Sequence, residues 1–347
     1  MLKPKTTLKE IAKILGVSKS TVSKALNNSH EISDVTKDKI QKFAKEHNYK
    51  ANKLAVNLKT GTTKTIGVIL PSIQNFFFAQ VLKGIEDVAT ADDYNIITSF
   101  SNESLSKEIN SMELLANGMV DGFILAIAEE TQIKHNFDHF SEAIQDGKPL
   151  VMFDRITDTI DCDKVCVNDI EATYKATKHL LNLKCKNIAV VSTIDHLSVG
   201  KLRIEGYKKA INEMFAKINK DLLVIGTTSN IDFKIANLLK DKTVDAILAL
   251  DEEAVLAAYK ASKFREYNLP KDLAIIGYAS EKMAANLTPS LTTLNQHGEL
   301  IGKAAVNLLL NKLKNNTNTS FEHKPIDTTL VERDSTKGFV SKFNTST

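Results

Sequence analysis

Over residues 7–46 apolar side chains recur every three or four positions, in three short bursts separated by turn-forming residues. Thr7-Leu8-Lys9-Glu10 reads as a capping box, after which Leu8, Ile11, Ala12 and Leu15 share one helical face. Gly16 predicts the stop, because a sharp exit from a helix needs a left-handed residue. Ser18 predicts the cap of a second helix with Val22, Ala25 and Leu26 facing inward. Ser33-Asp34 predicts the cap of a third, carrying Val35, Ile40, Phe43 and Ala44.

From Lys64 the pattern changes to short continuous apolar runs alternating with amphipathic stretches. TIGVIL, YNIITSF, DGFILAI and PLVMFD read as buried parallel strands, with helices around 77–91, 105–117 and 131–146 between them. After about Val167 a second series begins: NIAVVS, LLVIG, VDAILAL and LAIIGY, with helices near 169–183, 199–215, 231–240 and 252–266. NNTNTSFEH reads as a polar loop, followed by a returning strand near Ile326–Leu330. Two doubly wound series predict two α/β lobes, and the cleft between them, beyond the strands' carboxyl ends, is the default ligand site.

The totals narrow the class. The 347 residues, 43% hydrophobic and 25% charged, suit one small domain joined to a two-lobed one. The start MLKPKTTLKE has no apolar segment behind its lysines and no run reaches membrane-spanning length, so a cytoplasmic protein without membrane contact is expected. Cys162, Cys166 and Cys185 do not form a disulfide framework; only His179 is a loose companion ligand, so buried reduced thiols and no metal are expected. There is no Ser-His-Asp signature, P-loop or His-Glu-x-x-His, and neither an enzyme activity nor a cofactor is expected.

Charge is distributed unevenly. Residues 1–60 carry thirteen Lys, no Arg and five acidic groups, a net +8, so the remaining chain carries 3 − 8 = −5. A solvated Lys-rich surface would show the same excess; the spacing decides between them. Ala12 is small where two helices cross, Gly16 turns the chain, and Val22 buries against the first helix, as a helix-turn-helix requires. The second helix then exposes Lys19, Ser20, Thr21, Ser23 and Lys24, short hydrogen-bonding groups and cations suited to base edges and phosphates.

In the body, polar residues at strand ends are the binding candidates. Asp154 ends PLVMFD, Asp251 ends VDAILAL, and Arg203 opens a helix after NIAVVS. Carboxylates facing an arginine can bracket sugar hydroxyls or an anionic metabolite; each Asp can equally cap the helix that follows it.

VSKSTVSKALN followed by ISDVTKDKI, and HNYKANKLAVNLKTGTTKTIGVILP after it, resemble the DNA-binding domain, hinge and sensor start of the LacI/GalR family of bacterial regulators. The resemblance runs along the whole chain and is most specific over residues 6–70. It implies an N-terminal all-α helix-turn-helix domain and an α/β periplasmic-binding-protein-like two-lobed sensor domain. The expected boundaries are 1–49 for the DNA-binding domain, 50–63 for the hinge helix and linker, and 64–347 for the effector-binding and dimerisation domain. Within the last, lobe 1 spans about 64–166 and 297–327, and lobe 2 about 167–293 and 328–340.

Residue by residue, the resemblance implies that Lys19, Ser20 and Lys24 read bases, while Thr7, Ser18, Ser23, Asn27 and Asn52 touch phosphates. Thr21, Ala55 and Leu58 complete the DNA-contacting set, Leu58 as the wedge that kinks DNA from the minor groove. Lys24 stands where arginine is frequent, which replaces a planar fork with a point charge. Ala51 replaces a usual proline at the hinge start, and Val56 a polar or basic residue. In the cleft it implies effector contacts by Phe77, Phe78, Asp154, Arg203, Asp251 and Gln296. Phe76 replaces a frequent proline, Asp251-Glu252 an Asn-Asp pair, and Ala279 the usual aspartate after IGY. With no Trp in the chain, sugar stacking would fall to Phe77, Phe78 or Tyr278.

The function expected is a sequence-specific transcriptional regulator, a dimeric repressor whose affinity for a double-stranded operator responds to a small-molecule effector, with a sugar or sugar derivative the candidate. A homodimer is expected, and a tetramer is left open. The alternatives are a periplasmic-type small-molecule-binding protein without a DNA role, which has no use for residues 1–60, and an α/β enzyme with an accessory nucleic-acid domain.

Overall fold

A computed structural model describes residues 6–47, 49, 61–215, 218–315 and 320–341. The chain forms two compact units, Met1–Thr63 and Lys64–Thr347. Asn52, Ala55 and Leu58, with Ala51 and Val56, lie outside the described residues.

The head contains helices α1 (Leu8–Leu15), α2 (Lys19–Leu26) and α3 (Asp34–Glu46). The capping box is formed: Thr7 Oγ1 accepts from the Glu10 N–H at 3.3 Å, and the Glu10 carboxylate accepts from the Thr7 N–H at 2.7 Å. Gly16 ends α1 at φ 67°, and Ser18 Oγ accepts from the Thr21 N–H at 3.0 Å to start α2. Ile11, Ala12, Val22, Ala25, Ile40 and Ala44 make a six-residue core, with Leu26 only half-buried at its rim. Two expectations for α3 fail. Ser33 gives no side-chain cap; its hydroxyl lies 2.9 Å from Thr36 Oγ1. Val35 is 82% exposed: five residues before Ile40, it falls on the opposite side of the helix.

The body contains two six-stranded sheets. The first has order β11-β5-β4-β3-β1-β2, built from β1 (Thr65–Leu70), β2 (Asn95–Phe100), β3 (Gly122–Leu125), β4 (Leu150–Phe153), β5 (Asp163–Val167) and β11 (His323–Ile326). The second has order β12-β10-β9-β8-β6-β7, from β6 (Ile188–Ser192), β7 (Leu223–Ile225), β8 (Ala246–Ala249), β9 (Ala274–Tyr278), β10 (Thr292–Asn295) and β12 (Thr329–Val331). All pairings are parallel except β10 with β12. The chain crosses between sheets after β5, after β10 and between β11 and β12.

The returning strand expected near 326–330 is therefore two strands in different sheets. The helix expected over 131–146 is also two, Glu129–Lys134 and Asp138–Gln145, because His135 adopts a left-handed φ of 52° that ends the first. The helix Gly298–Asn315 follows β10 but packs on the first lobe, against the helix Phe76–Ala91. That contact requires glycine on both sides. A Cβ at Gly84 would lie 2.1 Å from the Glu299 carbonyl oxygen, and one at Gly302 2.1 Å from that of Val81.

Candidate functional site

On the head, Lys19 and Ser20 are exposed at the start of α2, while Thr21, Ser23 and Lys24 are half-buried along it. Asn27 closes α2 and is exposed. Thr7 and Ser18 already serve as helix caps, which holds the first turns of α1 and α2 in shape. Lys24 forms an ion pair with Glu31, a residue the sequence reading did not single out.

In the body, the six residues expected around the cleft all line one cavity of about 650 Å³, counted with its open mouth. They arrive from strand ends. Asp154 follows β4, Asp251 follows β8, Gln296 follows β10, and Arg203 lies on the helix Ser198–Phe215 beyond β6. Phe77 and Phe78 sit on the first turn after β1, where Asn75 accepts from the Phe77 N–H at 2.9 Å. Their rings meet edge to face at 5.4 Å, and Phe78 meets Phe153 likewise at 6.2 Å.

The charges are paired in a way the sequence reading missed. Arg203 is buried; its Nε donates to Asp169 Oδ1 at 2.7 Å and its Nη1 to the Leu250 carbonyl at 2.7 Å, with the guanidinium 3.8 Å from the Tyr278 ring centroid. Burial opposes its charge, but Asp169, Tyr278 and Asp154 around it together outweigh that and keep it cationic. The carboxylate bound to Arg203 is thus Asp169, not Asp154 or Asp251. Arg155, also buried, donates to Glu103 Oε2 at 2.7 Å.

Asp251 is committed elsewhere: it accepts from the Ala254 N–H at 2.8 Å, the Thr193 N–H at 2.8 Å and the Thr193 hydroxyl at 2.9 Å. It caps the helix Glu252–Phe264 and ties down the loop after β6. Asp154 is the opposite case. Its backbone is left-handed at φ 57°, its side chain is buried, and no hydrogen bond to its carboxylate occurs among the described residues. Burial raises its pKa to about 6, against the pull of Arg203 and Arg155. Gln296 likewise has a buried amide nitrogen without a hydrogen-bond partner.

A family model for bacterial regulatory proteins of the lacI family matches residues 7–52, and one for a periplasmic binding protein-like domain matches 177–336. The ribose operon repressor of Haemophilus influenzae is 30% identical over 335 residues, covering 95% of this chain and 98% of its own. The chain belongs to the lacI family of bacterial regulators. Among solved structures, a LacI family regulator from Enterococcus faecium with bound ribose is 29% identical, with a TM-score of 0.67 over 78% of this chain and 98% of that one. The lac repressor dimer bound to operator shares the fold at a TM-score of 0.82 and 21% identity, over 96% of this chain and 99% of that one.

This lacI-family chain is a DNA-binding transcriptional repressor, and the binding-protein alternative without a DNA role falls away. Its relatives are repressors, not enzymes. No helix among the described residues is long and apolar enough to cross a membrane.

The cysteines depart from expectation at one place. Cys162 and Cys185 are buried, but Cys166 is half-buried with its sulfur 3.0 Å from His323 Nε2. Burial raises the Cys166 thiol to about 11, which keeps it protonated. No cluster of three or more potential metal ligands occurs among the described residues.

Proposed function

We propose that this repressor binds a near-palindromic operator as a homodimer and that its cleft takes an uncharged, polyhydroxylated effector of the monosaccharide class. Lys19, Ser20 and Lys24 are its base readers; Thr7, Ser18, Thr21, Ser23, Asn27 and Asn52 are backbone contacts; Ala55 and Leu58 act from the hinge. The head spans 1–49, the hinge 50–63 and the body 64–347. Operator binding sets its work in the bacterial cytoplasm.

One observation carries the effector reading. Both cleft arginines are already neutralised by their own carboxylates, while Asp154 and the Gln296 amide have no partner. A ligand that brings hydroxyl donors to Asp154 and an acceptor to Gln296 completes the site. A phosphate or carboxylate finds no free cation and meets Asp154. Phe77 and Phe78 supply the apolar wall. Asp251 positions this site through Thr193. The ribose named in the relatives' descriptions is of this neutral class.

The lobes touch across the cleft through Gln132, whose amide donates to Ser198 Oγ at 3.2 Å and accepts from the Ser198 N–H at 3.0 Å, and through Glu129 and His196 at 3.1 Å. An effector shifts lobe closure, and with it operator affinity, only by its differential affinity for the two arrangements. A thermal-shift panel of neutral pentoses and hexoses, their phosphates and nucleobases tests the proposal. Stabilisation by at least one neutral sugar and none by its phosphate is expected. Stabilisation only by phosphates or nucleobases would overturn it.

A further inference from the structure

The base-reading helix carries a charge arrangement that its own role as reader does not explain. Lys24 and Glu31 form an ion pair at the solvent face, with side chains 39% and 52% exposed, so both can be reached by DNA. Glu31 is not on a loose loop. Ser29 N–H donates to the Lys24 carbonyl at 2.9 Å, Glu31 N–H to Ser29 Oγ at 3.4 Å, and Ile32 packs on the head core. Gln41 of α3 holds the same turn, donating to the Ala25 carbonyl at 3.1 Å and to Asn28 Oδ1 at 2.7 Å.

We infer that Lys24 and Glu31 act as one reading unit for a G·C base pair, Lys24 donating to guanine and Glu31 accepting from the cytosine amino group. The inference rests on α2 being the helix that enters the major groove. An ammonium has three donors, so one can bind Glu31 while others face the base edge. Guanine offers two adjacent acceptors, O6 and N7, and its partner cytosine offers the N4 amino donor beside them. A cation and a carboxylate in contact match that order. On an A·T pair the carboxylate would meet thymine O4, a second acceptor, and be repelled. Glu31 thus supplies the directional information that a lysine, as a point charge, lacks. Toward phosphate the same carboxylate is repulsive, so the unit favours bases over backbone.

The test selects binding sites from a random-core duplex library with the full-length protein, in parallel for wild type, Lys24→Ala, Glu31→Ala and Glu31→Gln. Wild type is expected to enrich G·C at one position of each half-site. Lys24→Ala and Glu31→Ala should both weaken that preference, by roughly tenfold, at that position and no other. Glu31→Gln, which keeps an acceptor, should retain part of it. Binding to a non-selected duplex at low salt should strengthen in Glu31→Ala, which a purely structural role would not cause. A preference matrix unchanged by Glu31→Ala, or an A·T preference at the position lost with Lys24→Ala, overturns this inference alone. A wild type that enriches no sequence overturns the DNA reading of α2 and this inference with it.

Discussion

The head and the body recognise their partners by opposite means. On the head, the groups proposed to face DNA, Lys19 and Ser20 exposed and Thr21, Ser23 and Lys24 half-buried, stand on a helix held by a six-residue apolar core. In the cleft, two buried arginines are already neutralised by Asp169 and Glu103, and a buried Asp154 is left without a partner. The head can therefore change its readers at little cost in stability, because exposed substitutions away from caps are nearly neutral. The body cannot do so at its arginines: Arg203 and Arg155 are each paired with a carboxylate that would be stranded by their loss.

The largest effect that would sharpen this contrast is expected from Arg203→Ala. It leaves Asp169 buried without its partner and should destabilise the body by about 3–5 kcal/mol. Urea unfolding of the full chain checks it; an unchanged body transition would break the comparison. Ile11→Ala, which removes a fully buried side chain, should cost the head about 2–5 kcal/mol. A core this small has little reserve, so DNA binding should disappear while sugar stabilisation of the body persists.

Asp154→Asn should act in the opposite direction. A carboxyl whose folded pKa is raised from 3.8 to about 6 stabilises the fold while protonated, and that contribution is lost as pH rises through about 6. Replacing it with a neutral isostere should raise the stability of the ligand-free body at pH 7.5 by on the order of 2 kcal/mol, while weakening the sugar-induced shift. Parallel melts with and without sugar measure both. The smallest effect is expected from Gln132→Ala, which removes two lobe-to-lobe hydrogen bonds and should weaken sugar binding by about tenfold or less without altering the head.

The same contrast decides what was legible in the sequence. Helix starts and stops in the head are local chemistry, so Thr7, Gly16 and Ser18 could be read directly from their neighbours. Ser33 has the same local signature as Ser18, with a threonine three residues on, yet its hydroxyl caps no backbone N–H. The apolar strands of the body announced themselves, but DKVCV, with Asp163 and Lys164 at its start, did not read as a strand. Without β5, Asp169 had no strand end to mark it, and the partner of Arg203 was missed. Glu103 was hidden differently, since its pairing with Arg155 joins residues 52 apart in sequence. Asp251 looked like a ligand group or a cap, and only the three donors around it show how fully it is used. Burial and long-range pairing are tertiary properties, and they are where sequence pattern is silent.

The measurement that bears most directly on the two-device account is calorimetric titration of the stabilising neutral sugar into the full-length protein at pH 7.5 and pH 5. Because an ionised Asp154 accepts from sugar hydroxyls on two charged oxygens, while the protonated acid is a weaker acceptor, and its pKa in the free cleft is about 6, affinity is expected to fall by up to about tenfold at the lower pH. The fall should be absent in Asp154→Asn. Sugar binding of equal strength at both pH values in the wild type would contradict the assignment of Asp154, and with it the cleft chemistry proposed for this repressor.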